Sequence, residues 1–193
     1  MSEIHLPGQS HTISSRRAFL KAGMFMIAGA AFPVDALARI AAATTPERAL
    51  SFYNTHTGEH LDRIVFWADG RYIPEHLTEI NHILRDFRTD EIKPIDAKLL
   101  DILYTVQRRL RVKEPLHIVS GYRSKATNAD LRQASSGVAK KSFHTKGKAI
   151  DFRIPGREVG DIRKVALRMQ LGGVGYYPDS DFVHLDTGPF RAW

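Results

Sequence analysis

The sequence predicts an α+β domain with a mainly antiparallel sheet and helices packed on one side. Two observations favour this class: the amphipathic helical segments cluster in the first part of the chain, and most of the short β-prone segments lie in its last part. The 193 residues are 43% hydrophobic and 25% charged, an ordinary globular balance. The length fits one domain with an N-terminal appendage.

The first 38 residues have the pattern of an export signal. Arg16 and Arg17 precede a short apolar stretch that ends at Ala36-Leu37-Ala38, a small-x-small sequence typical of a cleavage site. The paired arginines resemble a twin-arginine signal, which the Tat export machinery reads; the alternative is a basic patch before a buried helix. We expect residues 1–38 to be this signal peptide, 39–48 a linker and 49–193 a single domain in the periplasm.

Composition excludes several classes of protein. No apolar run reaches the ~18 residues of a membrane-spanning helix, so we expect no stable membrane span after signal cleavage. The chain has no cysteine, so any metal must be bound by imidazole and carboxylate groups. The net charge of +7 raises nucleic acid as a partner, but the basic residues are scattered and no nucleic-acid motif occurs. We therefore expect no nucleic acid, and a polyanion of the cell wall instead.

The first half of the domain predicts a hairpin and two helices. Residues 49–72 carry β-prone segments around the turn signals Thr57-Gly58 and Asp69-Gly70. A helix follows Pro74, which suits a first helical turn, and a second follows Asp96, a plausible N-cap. Their apolar stripes are predicted to be core: Leu77, Ile80, Leu84 and Phe87 in the first helix, and Leu99, Leu103, Val106 and Leu110 in the second.

The second half alternates short strands and helices. Strands are predicted at 116–119, 148–154, 174–177 and 182–185, the last two joined by a Pro178-Asp179 turn. A short polar helix is predicted around 128–134. A longer helix, with Ile162, Val165, Ala166 and Met169 on one face, is predicted to end at Gly172-Gly173.

The stretch SFHTKGKAID places polar residues where a buried strand begins. Asp151 shares a face of its strand with Ala149, and a buried aspartate is costly unless it is paired or bound to a metal. His144 precedes the strand, and His184 and Asp186 share a face of a later strand. Two histidines and one carboxylate form the ligand set of a catalytic zinc site. The alternative is a solvated loop histidine with a salt-bridged aspartate.

The pattern Ser142-x-His144-x-x-Gly147-x-Ala149-x-Asp151 resembles the signature of zinc peptidases that include D-Ala-D-Ala carboxypeptidases, VanX-type dipeptidases and Hedgehog-like proteins. The His184 strand is similar to their second histidine motif, and 120–124 (SGYRS) to an upstream segment. The resemblance covers roughly residues 116–187. With the export signal, the features are most similar to a periplasmic murein endopeptidase.

This resemblance implies one Zn²⁺ per chain, bound by His144, Asp151 and His184. It implies that Arg123 contacts the substrate, and Ser142 is a further candidate for substrate binding, although a loop-stabilising serine fits equally. The implied activity is hydrolysis of peptide cross-links between peptidoglycan stem peptides. The alternatives are a D,D-carboxypeptidase that trims stem peptides and a non-catalytic, zinc-containing wall-binding module.

The general base is where the sequence departs from the family pattern. Related enzymes place an acidic residue, usually glutamate, three positions before the second histidine, and here that position holds Asp181. Asp181 would reach the site only if the chain bends before the strand. Asp186 is the rival, since it shares a face with His184, and it would alternatively orient that histidine. Both are retained as candidate catalytic residues with Arg123.

Overall fold

The computed structural model describes residues 46–135 and 137–193. The predicted signal peptide and all but the last three residues of the predicted linker lie outside this range. Within it, none of the helices has the length and apolar character needed to cross a membrane.

Eight strands form one sheet in the order β3-β2-β1-β4-β5-β7-β6-β8. Their bounds are β1 Arg48–Asn54, β2 His60–Ala68, β3 Arg71–Tyr72, β4 Leu116–Ser120, β5 Ala149–Arg153, β6 Gly173–Tyr177, β7 Phe182–Asp186 and β8 Arg191–Ala192. The α-helices of the described residues are α1 Pro74–Ile83, α2 Ala97–Leu110, α3 Lys125–Ala134 and α4 Val159–Met169.

The α+β class is confirmed, but the sheet is mixed, which corrects the expectation of a mainly antiparallel sheet. Strands β1 and β4 pair in parallel, and so do β6 and β8. The first parallel pair arises because the chain leaves the opening hairpin through α1 and α2 before it returns beside β1. A parallel neighbour requires such a crossover, whereas a short turn suffices for a consecutive antiparallel pair such as β1 and β2.

One face of the sheet carries the hydrophobic core. Ile150 and Phe152 of β5 lie opposite Leu185 and Val183 of β7, and all four side chains are buried. Helices α1, α2 and α4 contribute to the same cluster through Ile80, Ile83, Leu99, Leu103, Val106, Ile162 and Ala166. Because neighbours along a strand point to opposite faces, Asp151 and His184 face away from this core.

The helix starts follow the sequence, whereas one helix end does not. Pro74 opens α1, and the Asp96 side chain accepts a hydrogen bond from the Lys98 backbone N–H at the start of α2, so both predicted starts are confirmed. Helix α4 ends at Met169, and the next residue, Gln170, adopts the left-handed conformation with φ 52°. The predicted Gly172-Gly173 end is therefore wrong.

The loop after α1 supports the segment that carries Arg123. The Tyr122 backbone N–H donates to the Leu84 carbonyl oxygen at 2.8 Å, and the Ser124 N–H donates to the Asp86 carboxylate at 2.8 Å. A Cβ atom at Gly121 would lie 2.4 Å from the Leu84 carbonyl oxygen, so this approach requires glycine. The 120–124 segment is therefore positioned by backbone contacts with the loop after α1.

Replacing Asp86 should destabilise the folded protein, because its carboxylate anchors the 120–124 segment. Burial alone raises the pKa of Asp86, but hydrogen bonds from Thr127 and Ser124 outweigh it, and the pKa lies below its ordinary value. The carboxylate therefore contributes stability above pH ~4, which is lost as the pH falls and it becomes protonated. Asp86→Ala should lower the unfolding free energy by ~1–3 kcal/mol at neutral pH.

Urea denaturation at several pH values tests this expectation, with the exposed Asp62→Ala as the matched control. The difference between Asp86→Ala and the unmodified protein should narrow below pH ~4. A difference that stays constant down to pH ~3 would contradict the assigned role of the carboxylate.

Candidate metal centre

The register of β5 and β7 brings two of the predicted ligands together. Asp151 lies directly opposite His184, and Ala149 lies opposite Asp186. Directly opposite residues of an antiparallel pair share a face with Cβ atoms ~5 Å apart. The alternation along each strand puts Ala149 on the face of Asp151 and His184 on the face of Asp186, as predicted. The register then places these two pairs side by side.

The third predicted ligand is positioned by a tight turn. His144 lies in the 3₁₀ turn Phe143–Lys146, where the Ser142 hydroxyl caps the turn by accepting from the His144 N–H. Gly147 follows with φ 67°, and a Cβ atom there would lie 2.3 Å from the Pro94 carbonyl oxygen. The glycine thus allows the turn to pack against the loop before α2 while the His144 side chain points inward, fully buried.

The hydrogen bonds assign the free nitrogen of each histidine. His144 Nδ1 lies 2.7 Å from the Gly121 carbonyl oxygen, which can only accept, so Nδ1 carries the hydrogen and Nε2 is free. His184 Nε2 lies 3.0 Å from the buried Asp186 carboxylate, which leaves Nδ1 free. Both free nitrogens point at Asp151 Oδ1, at 3.2 Å from His144 and 2.8 Å from His184.

Three electron-pair donors therefore converge in one buried place. The ligand atoms of His144, Asp151 and His184 all lie within 4.8 Å of one another. Without a cation or a shared proton, such a cluster of lone pairs would be repulsive. A divalent metal satisfies all three, and the donor set of two imidazoles and one carboxylate fits zinc.

Burial and the neighbouring charges shift the pKa values of the cluster residues in different directions. Burial lowers the pKa of His144. Burial also lowers the pKa of His184, but the Asp151 and Asp186 carboxylates outweigh it and raise the value above the ordinary one. The histidines hold the pKa of Asp151 well below its usual range against the effect of burial. Asp151 is therefore an anion at neutral pH, and a proton competes with a metal for His184.

Asp186 is enclosed behind His184 and is not open to a ligand. Its oxygens accept from His184, from the backbone N–H groups of Gly173 and Gly188, and from both terminal nitrogens of Arg191, at 2.6 and 3.1 Å. A Cβ atom at Gly173 would lie 2.4 Å from Asp186 Oδ2, and one at Gly172 would collide with the Asp186 backbone oxygen. The two glycines that were predicted to end α4 instead make room for Asp186.

Arg123 lines the cleft beside the cluster. Its guanidinium makes one long contact, 3.5 Å from Nη2 to Ser142 Oγ, and its buried Nε–H has no partner among the described residues. Burial lowers the pKa of Arg123, while nearby Asp151 and Tyr177 oppose that effect. Arg123 and Ser142 therefore lie together, with donor capacity on Arg123 that the protein leaves unused.

Asp181 is not brought to the metal cluster. It adopts a left-handed conformation with φ 53° directly before β7, and its carboxylate is solvent-exposed and 3.7 Å from Arg153. The bend that Asp181 needed is present, since Pro178–Ser180 forms a 3₁₀ turn. However, this bend directs the carboxylate toward a separate pocket beside His117 and Arg153.

The cleft over the cluster has a volume of about 710 Å³ and contains residues that the sequence did not single out. Its walls include the cations Arg123, Lys141 and Arg191 and the aromatic residues Phe143, Tyr177, Phe182 and Trp193. Among the described residues, Asp151 is the sole acidic side chain of the lining. The alternation of β6 places Tyr177 on the face of Gly175, but no local signal predicts that 191–193 returns to the cleft.

Comparison with known proteins identifies the family. Residues 42–193 match the family described as peptidoglycan L,D-endopeptidase MepK. The chain belongs to this family. The predicted resemblance to murein endopeptidases of the zinc peptidase superfamily is thereby confirmed, and the chain is a peptidase.

Two relatives show how far the similarity extends. The peptidoglycan L,D-endopeptidase MepK of Escherichia coli strain K12 is 49% identical over 181 residues, which covers 93% of this chain and 97% of the relative. The probable peptidoglycan L,D-endopeptidase MepK of Haemophilus influenzae strain Rd is 39% identical over 180 residues, covering 93% of this chain and 95% of the relative. The similarity therefore extends across nearly the whole length of both family members.

Asp186→Asn should loosen the metal site without unfolding the domain. The substitution removes the charge that accepts from His184 Nε2, and the loss of such a partner weakens metal affinity by ~10–100-fold. The dissociation constant for zinc, measured by competition with a chromophoric chelator, tests this expectation.

Asp181→Asn is the matched control for this measurement, because it makes the same chemical change in an exposed carboxylate outside the cluster. It should leave the zinc dissociation constant unchanged. Equal affinity in Asp186→Asn and the unmodified protein would show that Asp186 does not support the metal through His184.

Proposed function

We propose that this protein is a zinc-dependent peptidoglycan L,D-endopeptidase, built on the Hedgehog/D-Ala-D-Ala peptidase-like fold, which hydrolyses peptide cross-links in the cell wall. The observation that carries the proposal is the convergence of three free electron pairs at the floor of a cationic cleft. The specificity for the L,D bond rests on the names of the relatives. The proposed substrate is the bond between two diaminopimelate residues of neighbouring stem peptides.

One zinc ion per chain is assigned to His144 Nε2, His184 Nδ1 and Asp151 Oδ1. Three protein ligands are typical of catalytic zinc sites, since they leave a position for water or substrate. When bound, zinc supplies Lewis-acid polarisation of a carbonyl and acidifies a water molecule. Asp186 holds the His184 ring by its Nε2–H, and Gly121 holds the His144 ring by its Nδ1–H.

Arg123 is assigned to the substrate. Its guanidinium lies at the cleft wall with a single long contact to Ser142 Oγ, so a carboxylate or a carbonyl oxygen of the stem peptide would satisfy its remaining terminal donors. Lys141 adds positive charge to the same cleft, whereas Arg191 is paired with Asp186. Stem peptides carry free carboxylates, so the cleft and the proposed substrate are complementary in charge.

Neither candidate for the general base reaches the reacting position in this arrangement. Asp186 accepts hydrogen bonds on both oxygens, so we assign it the orientation of His184. Asp181 would act as a base only after the 178–180 turn moved its carboxylate away from Arg153. If Asp181→Asn lowered turnover by ~10²–10⁴ while zinc stayed bound, that rearrangement would be required.

Digestion of defined muropeptides tests the function. Zinc-loaded protein should cleave a dimer linked through two diaminopimelate residues faster than one linked from D-alanine to diaminopimelate, and faster than it trims monomeric stem peptides. His184→Ala should abolish cleavage, because it removes a ligand, while Asp181→Asn should retain it.

Each outcome of this digestion separates the competing functions. Release of terminal D-alanine alone would favour a D,D-carboxypeptidase. Binding of peptidoglycan without any cleavage, in a preparation with one zinc per chain, would favour a wall-binding module. Preferential cleavage of the D-alanine-linked dimer would contradict the proposed specificity for the L,D bond but would still support an endopeptidase activity.

Export to the periplasm by the Tat machinery is proposed for the same protein. A peptidoglycan substrate requires a location outside the cytoplasm, and the Arg16-Arg17 pair precedes an apolar stretch. Exchange of both arginines for lysine preserves the charge but removes the planar guanidinium groups. Fractionation of cells should show the double variant retained in the cytoplasm, and normal export of this variant would refute the twin-arginine route.

A further inference from the structure

We infer that Tyr177 is a catalytic residue, whose phenol hydroxyl donates a hydrogen bond to the oxygen of the scissile carbonyl as that oxygen gains negative charge. The inference rests on the proposed function, because it concerns the same amide substrate. It adds a second donor, opposite Arg123, to the site.

The absence of a side chain at Gly175 lets Tyr177 lie beside the metal ligands. Gly175 is directly opposite His184 in the sheet, and Tyr177 lies two residues further on the same face of β6. A Cβ atom at Gly175 would be 2.9 Å from Cε2 of Tyr177 and 2.9 Å from Trp193 ring atoms. The Tyr177 ring therefore leans back along β6 toward the row that contains His184.

Two contacts hold the phenol in this position. The Tyr177 ring stacks on Phe182, with centroids 4.5 Å apart and an interplanar angle of 19°. The indole N–H of Trp193 donates to the Tyr177 hydroxyl oxygen at 2.9 Å. Trp193 itself is fixed by backbone hydrogen bonds with Val174 and Tyr176, and its ring lies 5.3 Å from the His184 ring. A group positioned in this way pays little reorganisation when the substrate reacts.

The hydrogen bond from the Trp193 indole also determines that the Tyr177 hydroxyl can act as a donor to another group. A phenol has one hydrogen to donate, and its oxygen accepts. Since Trp193 donates to the oxygen, the Tyr177 hydrogen is directed elsewhere, and no described residue accepts it. The hydroxyl is therefore an unused donor on a half-buried residue at the wall of the cleft that also contains His184.

The positions of Arg123 and Tyr177 on opposite sides of the cluster support the role of the Tyr177 hydroxyl as an oxyanion donor. Arg123 follows β4, Tyr177 ends β6, and the ligand-bearing strands β5 and β7 lie between them. A peptide carbonyl positioned over the cluster would thus have a donor on each side. With no acidic side chain in the described lining apart from Asp151, the groups available to stabilise an oxyanion are donors of this kind.

Tyr177→Phe tests the assignment, because it removes the hydroxyl and keeps the ring. With the diaminopimelate-linked dimer as substrate, kcat should fall by ~10²–10³, the loss expected for one oxyanion donor, while KM changes little. Zinc content and melting temperature should stay unchanged. The matched control is Tyr176→Phe, since the neighbouring phenol belongs to a ring that packs over Arg163, 4.9 Å from its guanidinium carbon, and does not line the cleft.

Two further measurements make the result decisive. Metal-free protein should bind the uncleaved dimer equally well with and without the Tyr177 hydroxyl, because the contact strengthens only as charge develops. Trp193→Phe should lower kcat less than Tyr177→Phe, because it removes the positioning N–H and leaves the hydroxyl in place.

The outcomes separate this inference from the proposed function. Failure of the unmodified protein to cleave the dimer would overturn the function. Cleavage by the unmodified protein that persists at a similar rate in Tyr177→Phe would overturn the role of Tyr177 alone. A loss that follows zinc content, melting temperature or binding of the uncleaved dimer would make Tyr177 a structural or ground-state contact, and would also overturn its catalytic role.

Discussion

The pairing of β5 with β7 is the constraint on which the site depends. The register that places Ile150 opposite Leu185 in the core also places Asp151 opposite His184 on the other face. A slip by one residue would expose the core side chains and bury the wrong polar ones. Hydrophobic packing therefore fixes the distance between two proposed metal ligands, although neither residue belongs to the core.

Around Asp151 and His184, glycines allow close packing that encloses the site. Gly121 and Gly147 allow the backbone approaches that support the His144 turn, and Gly173 and Gly175 leave room for Asp186 and for the Tyr177 ring. Two of these approaches position hydrogen-bonding groups. The Gly121 carbonyl oxygen accepts from His144 Nδ1, and the Asp186 carboxylate accepts from His184 Nε2. The result is a cluster whose histidines are each held through the nitrogen that faces away from the proposed metal, an arrangement that sets tautomer and ring orientation together.

The electrostatics of the cleft follow from the same arrangement. Asp151 and Asp186 are buried anions, and each is compensated: Asp186 by Arg191, and Asp151 by the histidines and the proposed cation. The cationic walls then remain available to an anionic peptide. Asp186 and Arg191 neutralise each other, whereas the Arg123 guanidinium keeps unused donors for the proposed substrate.

The sequence by itself determined most of the helices and strands and predicted the proposed ligand set. Alternation placed Asp151 on the polar face of its strand, and Asp96 and Pro74 opened helices, because these signals act within a few residues. Pattern resemblance supplied the two histidines. Only the tertiary structure decided which strands pair in parallel, that Asp186 is enclosed and Asp181 directed away, and that Trp193 returns to hold Tyr177. Those outcomes depend on contacts between segments far apart in the chain, and periodicity along one strand carries no information about its neighbours.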